Sequence, residues 1–160
     1  GHDAVHQELQ AALPGGVLVA NGKDIDGVRG RMLEDFAANE ESIEELRACA
    51  ATGRVCQAHA GYKGAENATG CADITDALAA FLIGAGERSY WGCSTDTGSD
   101  GAWYYDAWHR WNPEYDLPLG APTANATKRR DLWTRAFASG TAVAFTATSN
   151  KGTIAWAAAN

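Results

Sequence analysis

The sequence predicts an α/β fold, a parallel sheet with covering helices followed by a β-rich tail, on three observations. Segments with apolar residues at helical spacing alternate with short continuous apolar runs over residues 1–94. Those runs suit strands buried on both faces, as in a parallel sheet. From Trp133 onward the pattern changes to alternation, which suits antiparallel strands. A chain of 160 residues, 46% hydrophobic and 21% charged, is long enough to bury a core.

The elements follow in order. Ala4 to Leu13 carries Val5, Leu9, Ala12 and Leu13 on one helical face, and Pro14-Gly15-Gly16 stops it. Val17 to Ala20 reads as a buried strand ending at Asn21-Gly22, and Gly30 to Leu33 as a second, ending in Glu34-Asp35-Phe36. Asn39 is placed to cap the next helix, with Glu40, Glu41, Glu44 and Glu45 near its positive end. Ile43, Leu46 and Ala50 form its apolar stripe, and Gly53 ends it. Val55 to His59 is the third strand, Asp73 to Ile83 the third helix, and Ser89 to Cys93 the fourth strand. Helix, strand, strand, helix, strand, helix, strand is an alternating α/β plan. Residues 95–132 form an aromatic-rich connection without a clear period. Within 133–160, Trp133 to Phe145 and Thr153 to Trp156 read as two strands joined through Ser149-Asn150-Lys151-Gly152. All three regions belong to one compact unit.

The net charge of -7 argues against nucleic acid as a partner, because phosphate binding rests on clustered Lys and Arg. Lys128-Arg129-Arg130 is too short a cluster to reverse that. No apolar run reaches the roughly 18 residues of a membrane span. The start at Gly1-His2 reads as a processed, cloned or cleaved end, so the lack of a leader says nothing about compartment.

Compartment is instead read from two other features. Asn67-Ala68-Thr69 and Asn125-Ala126-Thr127 are N-glycosylation acceptors in loop-like surroundings. Cys49, Cys56, Cys71 and Cys93 make an even set with three possible connectivities. Cys49–Cys56, tying a helix end to the following strand, is favoured, leaving Cys71–Cys93; four reduced cysteines in a cytosolic core are the alternative. No Cys-x-x-Cys spacing marks a zinc site. A secreted or lumenal glycoprotein is therefore expected.

Tyr115-Asp116-Leu117-Pro118-Leu119-Gly120-Ala121-Pro122, then Trp133-Thr134-Arg135-Ala136-Phe137-Ala138-Ser139-Gly140, then Gly152-Thr153-Ile154-Ala155-Trp156 give a recognisable order. It resembles the C-terminal end of glycoside-hydrolase-like (β/α)8 barrels, where a PLG-x-P segment leaves the barrel and an R-x-F-x-x-G hairpin packs after it. The resemblance implies a partial (β/α) barrel-like parallel sheet with a C-terminal antiparallel β hairpin. A full barrel takes about 250 residues. The resemblance thus implies a missing N-terminal half, a second protein chain, or a reduced relative of the fold.

It also implies function at the C-terminal ends of strands. Glu34 and Asp35 lie there as candidate catalytic carboxylates, with Glu34 favoured because adjacent strand residues face opposite ways. Glycoside hydrolysis uses two carboxyl groups about 5–5.5 Å apart for retention or 6.5–9.5 Å for inversion. Asn21 and His59 also end strands and can hold sugar hydroxyls, although a lone His is more often structural. Glu87, beside Arg88, reads as a solvated helix end. Trp91, Trp103, Tyr104, Tyr105, Trp108, Trp111 and Tyr115 cluster in one region, and Trp91, Trp103 and Trp108 are candidate stacking platforms for a sugar. Most of that cluster is expected to be a satellite core. Asp96, Asp100, Asp106 and Asp116 lack the spacing of a calcium loop, so neither metal nor cofactor is expected. No G-x-S-x-G elbow or phosphate-binding loop occurs. The expected function is a secreted carbohydrate-active protein, the C-terminal part of a glycoside hydrolase using carboxylate general acid/base chemistry. The alternative is a non-catalytic extracellular module for carbohydrate binding or assembly.

Overall fold

The structure, a computed structural model, describes residues 2–21, 28–63, 73–96 and 111–158. Their elements are α1 (His2–Ala12), β1 (Val19–Asn21), β2 (Gly30–Leu33), α2 (Glu40–Ala51), β3 (Val55–Lys63), α3 (Thr75–Gly84) and β4 (Ser89–Asp96). A 3₁₀ turn at Pro113–Asp116 precedes β5 (Thr127–Arg129), β6 (Leu132–Ala136), β7 (Ala142–Thr146) and β8 (Lys151–Ala155). The fold is mixed α/β, with one four-stranded parallel sheet and a separate four-stranded antiparallel sheet.

The parallel sheet runs β1-β2-β3-β4, each strand beside its predecessor. Its described strands form an open sheet. β3 and β4 outrun the apolar sequence runs, pairing from Cys56↔Ser89 to Lys63↔Asp96, because a backbone ladder continues through polar residues. α2 begins as its cap chemistry dictates. Asn39 Oδ1 accepts from Ser42 N at 2.8 Å, and Ser42 Oγ accepts from Ala37 N at 3.1 Å. Ile43, Leu46 and Cys49 bury its inner stripe, and Gly53, at φ 70°, turns the chain back in the left-handed conformation. A disulfide joins Cys49 to Cys56, so the favoured pairing is present. Cys93 is also disulfide-bonded, while Cys71 lies outside the described residues.

α3 occupies the centre. Every residue from Ala77 to Gly84 is buried, since the helix packs on α2 and also on β7 and β8. A helix that is apolar all round requires such a position. One core follows, in which Leu33, Ile43, Leu46 and Phe81 join Trp133, Val143 and Phe145 from the antiparallel sheet.

Polar contacts set how that second sheet docks. Asp76, in the first turn of α3, accepts from Lys151 Nζ and Gly152 N, each at 2.8 Å. Burial works against the charge of Asp76, but these two donors and the Lys151 charge hold its carboxyl below the usual range. β8 lies so close to α3 that a Cβ on Gly152 would meet Ala79 Cβ at 2.4 Å. Arg135 of β6 donates to the carbonyls of Leu82 at 2.8 Å and Ala85 at 2.5 Å, capping the negative end of α3. Glu40 accepts from Lys128 Nζ and from Trp133 Nε1, tying α2 to β5 and β6.

The expected C-terminal hairpin is thus part of a larger sheet. Trp133 to Phe145 is not one strand: a turn with Gly140 at φ 94° divides it into β6 and β7, closed by Phe137 N donating to Thr141 O. β5 adds a further strand from the region read as connection.

Candidate functional site

The parallel sheet has two unlike faces. Arg31, Leu33, Cys56, Ala58 and Trp91 share the face covered by α2 and α3. The register sets Asn21, Met32, Gln57 and Tyr90 in one row across the opposite face. That row remains open to varying degrees: Asn21 is exposed, Met32 and Gln57 are half-buried, and Tyr90 is 58% exposed.

One residue further along, at the C-terminal ends of β1 and β2 and midway along β3, which runs on past the strand end expected at His59, three polar side chains gather. Asn21 is the last residue of β1, Glu34 directly follows β2, and His59 follows Ala58, the partner of Leu33. Asn21 Nδ2 donates to Glu34 Oε2 at 2.7 Å. His59 is only 5% exposed, and its burial pushes the imidazole below its ordinary value. The nearby Glu34 and Asp35 charges oppose that shift without cancelling it. Burial therefore favours the neutral form of His59 beside two carboxylates.

The chain turns immediately after β2. Asp35 adopts a left-handed φ of 59°, and Phe36 N donates to His59 O at 2.9 Å. Phe36 is buried edge-on against Phe81 and Trp91, which anchors the turn. The opposite-face rule for adjacent strand residues ends at Leu33, so it does not separate Glu34 from Asp35. Both carboxylates act on His59.

The other expected site residues lie elsewhere. Trp91 is on the covered face, packed on Phe36 and Phe81, with Nε1 donating to Tyr115 Oη at 2.9 Å. It lines a cleft of about 370 Å³ with Trp111, Tyr115 and Trp156, apart from the Asn21–Glu34–His59 group. Trp111 is 65% exposed, and its Nε1 is held by Asp116 Oδ2 at 2.8 Å. Asn125 is exposed just before β5, and Glu87 is exposed after α3. Trp103, Trp108 and Asn67 lie outside the described residues. Sequence reasoning missed Met32, Gln57 and Tyr90 as neighbours of the cluster. Strand alternation carries that signal, but only once the register is known.

A family model described as hypothetical glycosyl hydrolase family 15 matches residues 1–141. The match takes in Tyr115 to Pro122 and Trp133 to Gly140, and ends before Gly152 to Trp156. No curated protein matches the chain.

Proposed function

We propose that this chain, which belongs to hypothetical glycosyl hydrolase family 15, is a secreted carbohydrate-active protein that hydrolyses glycosidic bonds with Glu34 as a catalytic carboxylate. The observation that carries the reading is the joining of Asn21 at the end of β1, Glu34 just past β2 and His59 midway along β3, on the sheet face opposite α2 and α3. Strand order β1-β2-β3-β4 without reversal suits part of a (β/α) barrel, where chemistry sits at the C-terminal strand ends. In a doubly wound sheet the order would reverse. Glu34 serves as one member of the carboxyl pair that glycoside hydrolysis uses, with Asp35 beside it on the same turn. His59, Gln57 and Asn21 are suited to bind sugar hydroxyls or orient the carboxylates. Upstream residues or a second chain completing a barrel fit the same scheme.

The Cys49–Cys56 bridge supports an oxidising compartment. Exposed Asn125 supports glycan attachment there, and a Cys71–Cys93 bridge completes the proposed framework. The test of function is hydrolysis of a glycan panel by the wild type and Glu34→Gln. Loss of an essential acid or base lowers turnover by about 10²–10⁴-fold, with the circular dichroism spectrum unchanged. Equal rates on every cleaved glycan remove Glu34 from the chemistry.

The cleft of Trp91, Trp111, Tyr115 and Trp156 favours a second reading, a non-catalytic carbohydrate-binding module. Saturable glycan binding without hydrolysis, weakened by Trp111→Ala and untouched by Glu34→Gln, decides for it.

A further inference from the structure

We infer that the Glu34 site takes a neutral glycan and that Tyr90 is its stacking platform, an assignment that rests on the reading of Glu34 as a catalytic carboxylate and adds the substrate class. Register fixes the placement, since Gln57 pairs with Tyr90 and His59 with Gly92. Alternation then puts Gln57, His59, Tyr90 and Gly92 on one face of β3 and β4 and turns Trp91 to the other. Among the described side chains of the four parallel strands, Tyr90 is the aromatic one on the Glu34 face. Its ring is open to solvent, at 58% exposed.

Strand geometry gives the span. Glu34 lies level with His59, one residue past the Leu33–Ala58 pair, and His59 is level with Gly92. With neighbouring strands about 4.8 Å apart and a rise of about 3.3 Å per residue, the Cα atoms of Tyr90 and Glu34 are about 12 Å apart. The two residues thus flank a stretch of sheet wide enough for a sugar ring. Gly92 borders that stretch on β4 and adds no side chain to it.

The chemistry of the flanks names the ligand. An aromatic face takes the apolar C–H surface of a sugar, while neighbouring amides bond the hydroxyls at its edge. Gln57, half-buried beside Tyr90, and Asn21, exposed at the end of β1, carry such amides. A uronate or sulfated sugar would need a cation instead. No Lys or Arg is among the described strand side chains on that face; Arg31 is on the covered face, paired with Glu45. Burial holds His59 toward its uncharged form, and Glu34 and Asp35 are the charges acting on it. An anionic sugar would face these carboxylates without a counter-charge, and like charges repel.

The test joins cleavage to binding. The wild type is offered matched neutral and uronate-containing oligosaccharides, and cleavage of the neutral set is expected. Dissociation constants are then measured by calorimetry in Glu34→Gln, alone and combined with Tyr90→Phe or Tyr90→Leu. Stacking predicts that Tyr90→Phe binds within about two-fold and that Tyr90→Leu binds about 3–10-fold more weakly. Proton NMR adds a measurement that needs no change at Tyr90: sugar C–H resonances should shift upfield on binding to Glu34→Gln. The shift should persist with Tyr90→Phe and vanish with Tyr90→Leu.

Equal affinity with Tyr90→Leu, or no upfield shift, overturns the platform. Tyr90→Phe falling as far as Tyr90→Leu also overturns it, because the hydroxyl and not the ring face would then carry the contact. Preference for the uronate set overturns the neutral class. If the wild type cleaves glycans with a KM that Tyr90→Leu leaves unchanged, the role of Tyr90 fails while the functional reading stands. If the wild type cleaves no glycan, the functional reading fails and the substrate assignment falls with it.

Discussion

Removing the Cys49–Cys56 cross-link by the double substitution Cys49→Ala/Cys56→Ala should destabilise the fold by about 2.4 kcal/mol. The bridge closes a loop with a sequence separation of 7, and loop-closure entropy at that length gives about 2.4 kcal/mol at 25 °C. Both cysteines are buried in the common core, so the lost sulfurs add a small void and do not offset the loss. The double substitution avoids a lone thiol that could pair with Cys71 or Cys93. For a chain of this length the expected fall in Tm is about 5–10 °C. Urea unfolding followed by tryptophan fluorescence measures it, with the slope m compared between proteins to confirm a common unfolded state. A midpoint corresponding to less than about 0.5 kcal/mol would refute the entropic argument, and with it a structural role for the bridge.

Three further outcomes are expected. Gly152→Ala should cost about 1–3 kcal/mol of stability, because its Cβ would meet Ala79 Cβ at 2.4 Å. Ala79→Gly added to it should recover part of the loss in a double-mutant cycle, and simple additivity would count against the close approach. The His59 imidazole is held below its ordinary value near 6.5, first by burial. The unfolded chain therefore takes up a proton that the folded chain refuses, so this contribution is intact above pH 6.5 and is lost as pH falls below it. His59→Gln should flatten the change in urea midpoint between pH 7.5 and 5.5; an unchanged slope would contradict a buried neutral imidazole. Intact mass of secreted protein should fall on glycosidase treatment and be smaller for Asn125→Gln, whereas equal masses would exclude a glycan at that position.

Local chemistry made parts of the fold legible. The Asn39 cap and Gly53 stop are set by neighbouring backbone groups, so the sequence delimits α2 closely. The apolar residues of α3 announce burial but do not reveal the second sheet that covers it. Asn21, Glu34 and His59 were identifiable because each lies where an apolar strand run ends. Their convergence was not, because Asn21 and Glu34 meet only through parallel pairing between strands joined by a connection. Trp91 shows the same limit from the other side. Its aromatic neighbours fit sugar stacking or a satellite core equally, and the register turns its ring toward Phe36 and Phe81. The single-strand reading of Trp133 to Phe145 failed because Ala138 and Ser139 hide a turn that only Gly140 signals.

The most direct measurement is where an electrophilic sugar reacts. An epoxyalkyl glycoside built on a sugar the protein cleaves should inactivate it and leave one covalent adduct on Glu34, located by peptide mass spectrometry. Glu34→Gln should take no adduct. A label on a carboxylate remote from Asn21 and His59, with hydrolysis lost in step, would contradict the account.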